Sequence, residues 1–197
     1  MFSSFAIASN SDWQINQDYP ESNVKVWTKK VTGSSFYAFK GEVKVRAPMF
    51  KVLTVLANTS LMPNWYYRLD KVEVLKQINS KETIVRSITK LPWPFDNREA
   101  ITKITKAHLS KFQARINVSH SDYFFPYSPN LVRINHLNGY WQLDQISEQE
   151  TLITHMIESE PAGQIPAWLI NQLVSEIPVY SLEKLKNLVE IDNKTLF

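Results

Sequence analysis

The residues able to do chemistry in this chain are few and scattered. Ser119-His120-Ser121-Asp122 holds a serine, a histidine and an acid. Adjacent residues on a strand point to opposite faces, so these groups cannot line up as a proton relay. The four histidines, His108, His120, His136 and His155, are dispersed on segments that read as strands or strand ends. Only a site assembled across neighbouring strands would bring them to a metal, and neither a metal nor a cofactor is expected. The patterns GxSxG, HExxH, GxGxxG and the P-loop are absent. With no cysteine, thiol catalysis, disulfides and cysteine-based zinc sites are excluded. What remains is a set of arginines and an abundance of aromatic rings. A guanidinium suits bidentate pairing with a phosphate, and ring faces suit a quaternary ammonium.

Those rings number 6 Trp, 8 Tyr and 10 Phe in 197 residues, more than a small core easily fills, so some are expected to line a cavity. Trp65, Tyr66, Tyr67, Trp93, Tyr123, Phe124, Phe125, Tyr127 and Trp141 are the candidates. The formal net charge is +3, without a dense run of Lys and Arg. That argues against nucleic acid as a partner and fits weak attraction to an anionic membrane surface.

The elements that must position these groups are mostly strands. Val24 and Val26 share one face of 23–31, and in 36–46 Gly41, Val43 and Val45 alternate with Lys40, Glu42, Lys44 and Arg46. Pro48 opens a helix that carries Phe50, Leu53, Val55 and Leu56 and ends at Asn58. The segment 59–70 reads as irregular. Further strands are predicted at 71–78, 82–90, 100–109, 112–119, 131–138, 140–146 and 151–158, with Phe112, Ala114, Ile116 and Val118 facing inward. Strands on short polar links, with one early and one late helix, predict an α+β domain built on a strongly curved antiparallel sheet.

The late helix is the element large enough to cover that sheet. Pro166 sits at its first turn, and Leu169, Ile170, Leu173, Val174 and Ile177 form one apolar stripe, which resumes with Leu182, Leu185, Leu188 and Val189. Pro178 cannot donate to the carbonyl of Val174 and should kink or interrupt the helix, so that it follows a curved surface.

Two stretches carry a family resemblance. PAGQIPAWLINQL (161–173) is similar to the opening of the C-terminal helix of START domains, the lipid-transfer family, and most similar to the phosphatidylcholine-carrying branch. LPWPFDNREAI (91–101) resembles the aromatic-proline stretch that precedes an Asn-Arg-acid motif in the same family, and Trp27, Thr28 and 36–42 resemble its opening hairpin. The resemblance implies a helix-grip fold over residues 12–192, with an internal hydrophobic tunnel holding one lipid. It places the phosphate-pairing arginine at Arg98. The ligand-binding set is then Arg98, Trp65, Tyr67, Trp93, Tyr123, Phe125, Trp141, Leu169, Ile170, Leu173, Val174 and Ile177. The sterol-carrying branch is expected to bury an acid and an arginine on adjacent strands. The matching positions here, Val85 and Ile104, are apolar, with Arg86 next door, which argues against a sterol.

A monomer that binds and carries one lipid, touches membranes transiently and is not an enzyme is therefore the leading expectation. An enzyme of the polyketide cyclase or aromatase kind, using His108, His136 or Glu158, is the alternative; a ligand-free protein adaptor is a third. No run of about 18 apolar residues predicts a membrane-spanning helix. Residues 1–11 read as a flexible N-terminus or the remnant of a signal peptide, with Ala6-Ile7-Ala8 as a cleavage triplet, so both an exported and a cytoplasmic location stay open.

Overall fold

The computed structural model of the chain describes residues 13–16, 19 and 21–191, together with the backbone but not the side chain of His108. The Ala6-Ile7-Ala8 triplet and the segment 1–11 lie outside the described residues.

Ten strands form one sheet: β1 Gln14–Asn16, β2 Lys25–Lys30, β3 Tyr37–Val45, β4 Leu69–Gln77, β5 Glu82–Thr89, β6 Asn97–Ser110, β7 Gln113–His120, β8 Leu131–Ile134, β9 His136–Ser147 and β10 Glu150–Glu160. The order across the sheet is β1-β2-β3-β10-β9-β7-β6-β5-β4, antiparallel throughout, with β8 added parallel to β6. Among the described residues three helices complete the fold: α1 Met49–Ala57, the four-residue α2 Met62–Trp65 and α3 Ala167–Glu190. The α+β reading, with a C-terminal helix against a large antiparallel sheet, holds.

Several boundaries differ from the sequence expectation for local reasons. The chain breaks between β8 and β9 at Asn135, not at Gly139, because β8 turns aside to pair with β6. Gly139 stays inside β9, where a Cβ would lie 2.2 Å from the Met156 carbonyl oxygen. Phe112 falls in the turn before β7 and is 54% exposed, so the inward run starts only at Ala114. On α1, Phe50 faces outward while Met49, Val52, Val55 and Leu56 are buried.

Helix α3 runs through Pro178 as one continuous helix. The proline is accommodated by a missing side chain opposite: a Cβ on Gly41 of β3 would sit 2.8 Å from Pro178 Cβ and 2.7 Å from Leu182 Cδ1. Sheet and helix are therefore in close contact at this point. The helix divides there into two functions. Val179, Leu182, Leu185 and Val189 enter a solid core with Val43, Val45, Val52, Trp65, Leu143 and Ile153. Ile170, Leu173, Val174 and Ile177 instead roof an open space.

Hydrogen bonds from distant segments also tether the C-terminal half. Ser22 Oγ donates to Glu183 at 2.7 Å, Tyr67 N–H donates to Ser181 Oγ at 2.9 Å, and the Arg46 N–H donates to Glu190 at 2.7 Å. Desolvation pushes the Glu190 carboxyl up, but hydrogen bonds from Lys186 and Arg46 outweigh it and hold the group below its ordinary value.

Candidate functional site

Between the first half of α3 and the concave face of the sheet lies a cavity of about 200 Å³. A second space of about 140 Å³ adjoins it, and Met62, Val85, Ile104, Val118 and Trp141 stand in the walls of both. The walls are mostly aliphatic, as strict alternation on the strands demands: one face of each strand supplies the lining and the other faces out.

Polarity is graded along those strands. On β5 the lining residues run Val85, Ser87, Thr89; on β10 they run His155, Ile157, Ser159. The polar end of the cavity is thus the end where β5 and β10 finish, beside Arg68, Arg98 and Pro161. Arg68 and Arg98 line it, and no Asp or Glu stands among the lining residues.

Deeper in sits a hydrogen-bonded pair. His155 Nδ1 lies 3.2 Å from the Tyr140 carbonyl oxygen, which can only accept, so Nδ1 carries the proton. Nε2 then accepts from the Tyr66 hydroxyl at 3.0 Å. The His155 ring stacks on Trp141 at 3.6 Å, with 5° between planes. Burial lowers the His155 pKa to about 3, against a small upward effect of the Tyr140 carbonyl, and burial pushes the Tyr66 phenol upward. Both groups are therefore neutral near pH 7, and neither has the proton affinity that general acid or base catalysis needs there. The pair can accept a hydrogen bond from a ligand hydroxyl through the free lone pair of the Tyr66 oxygen.

Arg98 is 4% exposed and lines the cavity, but three of its N–H groups are already engaged. Nε donates to the Pro161 carbonyl at 2.6 Å, Nη1 to that of Asp96 at 2.5 Å and Nη2 to that of Ala162 at 2.9 Å. Burial lowers its pKa, and the Asp96 charge works against that shift. Arg98 thus latches the loop that leads into α3 onto β6. That loop turns with Ala162 and Gly163 at φ of 53° and 68°, and Gly163 packs against Val132.

The next residue points the other way. Glu99 is fully buried on the opposite face of β6, bonded to Arg86 Nε at 2.8 Å and to Arg133 Nη2 at 2.7 Å. Desolvation would raise its pKa, but those two guanidiniums outweigh it and the net shift is downward. Arg86 also bonds Glu73 and Ser128 Oγ, and Arg133 bonds the carbonyls of Phe125 and Pro126. An acid and an arginine on adjacent strands are therefore buried together, but behind the cavity, where they hold the loop 121–130 to the sheet. Val85 and Ile104 face the cavity.

Of the residues expected to bind ligand, Arg98, Trp141, Ile170, Leu173, Val174 and Ile177 line the cavity. Six others stand elsewhere. Trp65 is core, packed edge-on against Trp141 and Tyr66. Leu169 is buried but not at the cavity wall. Tyr67 stacks at a tilt on Tyr180 and reaches Glu176 at 3.3 Å. Phe125 lies under the Arg86 guanidinium, 5.0 Å from its ring centroid. Tyr123 and Trp93 face solvent at 39% and 92% exposure, because both belong to loops outside the sheet. His136 and Glu158 pair with each other at 3.4 Å, both exposed, away from the cavity wall. His120 bonds Asp122 at 3.4 Å, and Ser119 takes no part in that contact.

Sequence reasoning missed Tyr66 and His155 as a pair, and Arg68. His155 had a readable signal, since it shares one face of the strand with Ile153 and Ile157. Arg68 had none, as it lies in a segment without periodicity.

The START domain family model matches residues 6–189. An uncharacterized protein of Pseudomonas aeruginosa is 25% identical over 189 residues, 94% of this chain and 92% of that protein. Among solved structures, a STAR-related lipid transfer protein from Xanthomonas axonopodis superposes with a TM-score of 0.81 at 27% identity, covering 91% of this chain and 99% of the other. Human StAR-related lipid transfer protein 5 gives 0.80 at 14% identity, over 92% and 88% of the two chains. The Zhui aromatase/cyclase from Streptomyces sp. R1128 gives 0.55 at 15% identity, over 78% and 93%.

Proposed function

This chain belongs to the START domain family, and from that premise we propose that it binds a single amphipathic lipid in the cavity under α3 and carries it between membranes as a monomeric domain spanning 12–192. The observation that carries this reading is the graded interior: an apolar floor, a polar end, and a roof formed by only half of a helix. The two spaces extend along β5 from Thr89 to Thr83, roughly 20 Å at the rise of an extended strand. That exceeds the ~15 Å depth of one bilayer leaflet's hydrocarbon, so an acyl chain fits lengthwise once the shared walls yield. Each buried methylene contributes about 0.8 kcal/mol.

The gate is the N-terminal half of α3. Its tethers are the Arg98 latch and bonds from Asn171 to the Ser35 carbonyl at 3.4 Å, from Asn16 Nδ2 to Ser175 Oγ at 2.6 Å and from the Tyr67 hydroxyl to Glu176 at 3.3 Å, and it faces an open space where the C-terminal half faces a solid core. Trp93, Phe124, Tyr127 and Trp168 stand 68–92% exposed on segments gathered at this same end by the pairing of Asn97 with Leu131 and by the Arg98 latch. Such rings suit the headgroup layer of a membrane. No helix among the described residues is long and apolar enough to cross one.

The Tyr66–His155 pair is the nearest thing to an acid–base couple in the cavity, and its proton affinities favour ligand binding over a cyclase reaction.

Native mass spectrometry of the protein purified from cells tests the proposal. One lipid mass per chain is expected, and Ile104→Trp, which fills the wall shared by both spaces, should abolish it while the fold persists by circular dichroism. A chain that carries no adduct and takes up no lipid on incubation with vesicles would end this reading.

A further inference from the structure

Arg98 has three of its five N–H groups on backbone carbonyls, and the other cation in the cavity has none so engaged. Arg68 makes no side-chain hydrogen bond or ion pair among the described residues, and its Nε is buried without a partner. Buried guanidinium nitrogens without partners are rare, because each forfeits its hydration for nothing. Its guanidinium lies 5.2 Å from the centroid of the Tyr67 ring, a contact that orients the plane and leaves the N–H edge open.

The backbone supports the same orientation. Arg68 has φ of 61°, a left-handed conformation that L side chains seldom adopt, at the point where β4 begins. The residue is held there from both sides, by Lys90 N–H donating to its carbonyl at 2.8 Å and by the pairing of Leu69 with Thr89. Strain of this kind in a site wall is a feature of ligand clamps. Ser87 and Thr89, which line the same end, add hydroxyls. With two guanidiniums, a neutral His155 and no carboxylate among the described residues of its walls, the cavity holds net positive charge in an apolar surround.

We infer that Arg68 is the headgroup anchor, and that the ligand is an anionic amphiphile whose carboxylate or phosphate pairs with the Arg68 guanidinium at the polar end while its chain lies along β5. This inference rests on the lipid-binding reading above and narrows it to a charge class.

The test uses the full chain and four single-chain probes, each displacing the uncharged dye Nile red: oleate, oleoyl lysophosphatidate, oleyl alcohol and monoolein. The wild type should bind one or both anions about 10- to 100-fold more tightly than the uncharged pair, the size of a charged hydrogen bond. Oleate against lysophosphatidate tells a carboxylate ligand from a phosphate one. In Arg68→Gln the preference should vanish while monoolein binding is kept; Arg68→Lys should retain part of it. Equal binding of charged and uncharged probes by the wild type overturns the inference and leaves the lipid-binding reading standing. Preference that survives in Arg68→Gln overturns the assignment to Arg68. Failure of all four probes to displace the dye overturns the lipid-binding reading itself. The wild-type comparison decides the charge class even if Arg68→Gln does not fold.

Discussion

Replacing His155 by glutamine should remove a specific acid sensitivity from the fold. In the native state burial holds the His155 pKa at about 3. In the unfolded chain it returns to about 6.5. Between those values the unfolded state binds one more proton than the native state, so stability rises with pH and is lost as pH falls. The slope is about 1.4 kcal/mol per pH unit well inside the window, and integration from pH 7 to pH 5 gives a loss of about 2 kcal/mol. That is a sizeable share of the ~5–15 kcal/mol of a typical domain. Three carboxylates with lowered values, Glu73, Glu99 and Glu190, work in a different range. Their contribution is complete above their ordinary pKa of 4.5 and fades as pH falls through the lower native value. The interval from pH 6.5 to pH 5 therefore isolates His155. Urea unfolding followed by tryptophan fluorescence at pH 7, 6 and 5 gives the profile. Wild type should lose stability across it, and His155→Gln, whatever its absolute stability, should be flatter by about 2 kcal/mol. Parallel profiles for the two proteins would refute the assignment of a buried, neutral histidine.

Gly41→Ala should destabilise by about 1–3 kcal/mol in chemical denaturation, because its methyl would collide with Pro178 and Leu182 where β3 and α3 pack. Glu99→Ala should cost about 3 kcal/mol, since it removes the buried carboxylate that two guanidiniums share and leaves Arg133 without its ion-pair partner. Limited proteolysis should then cut within 121–130, the loop those arginines hold. Glu73→Gln, on a partly exposed ion pair, should cost about 1 kcal/mol or less. The double substitution Trp93→Ala and Phe124→Ala should reduce flotation with anionic vesicles while changing stability by no more than about 0.5 kcal/mol, as both rings are already in solvent.

Much of the architecture was legible because burial writes itself into periodicity. Gly41, Val43 and Val45 declare one face of β3, and the stripe from Leu169 to Ile177 declares the covered side of α3. The run 161–173 and the Asn97-Arg98-Glu99 motif carried the family resemblance that the match over 6–189 bears out. Periodicity reports only that a position is covered, however, and not by what. The two halves of α3 have the same stripe, yet Leu182 and Leu185 meet a solid core while Val174 and Ile177 meet an open space.

The rings were the least legible part, since an aromatic in a loop obeys no period. Only the folded chain sends Trp93 to solvent, Trp65 to the core and Trp141 to the cavity wall. The same holds for the two arginines. The family resemblance singled out Arg98 by its motif, but the partners of a guanidinium come from segments far along the chain: the carbonyls of residues 161 and 162 bond Arg98, while Arg68 Nε is buried without a partner. Local pattern decides which groups a strand or helix turns inward. What each inward group meets depends on contacts between distant segments, and those exist only once the sheet has curved and α3 has closed over it.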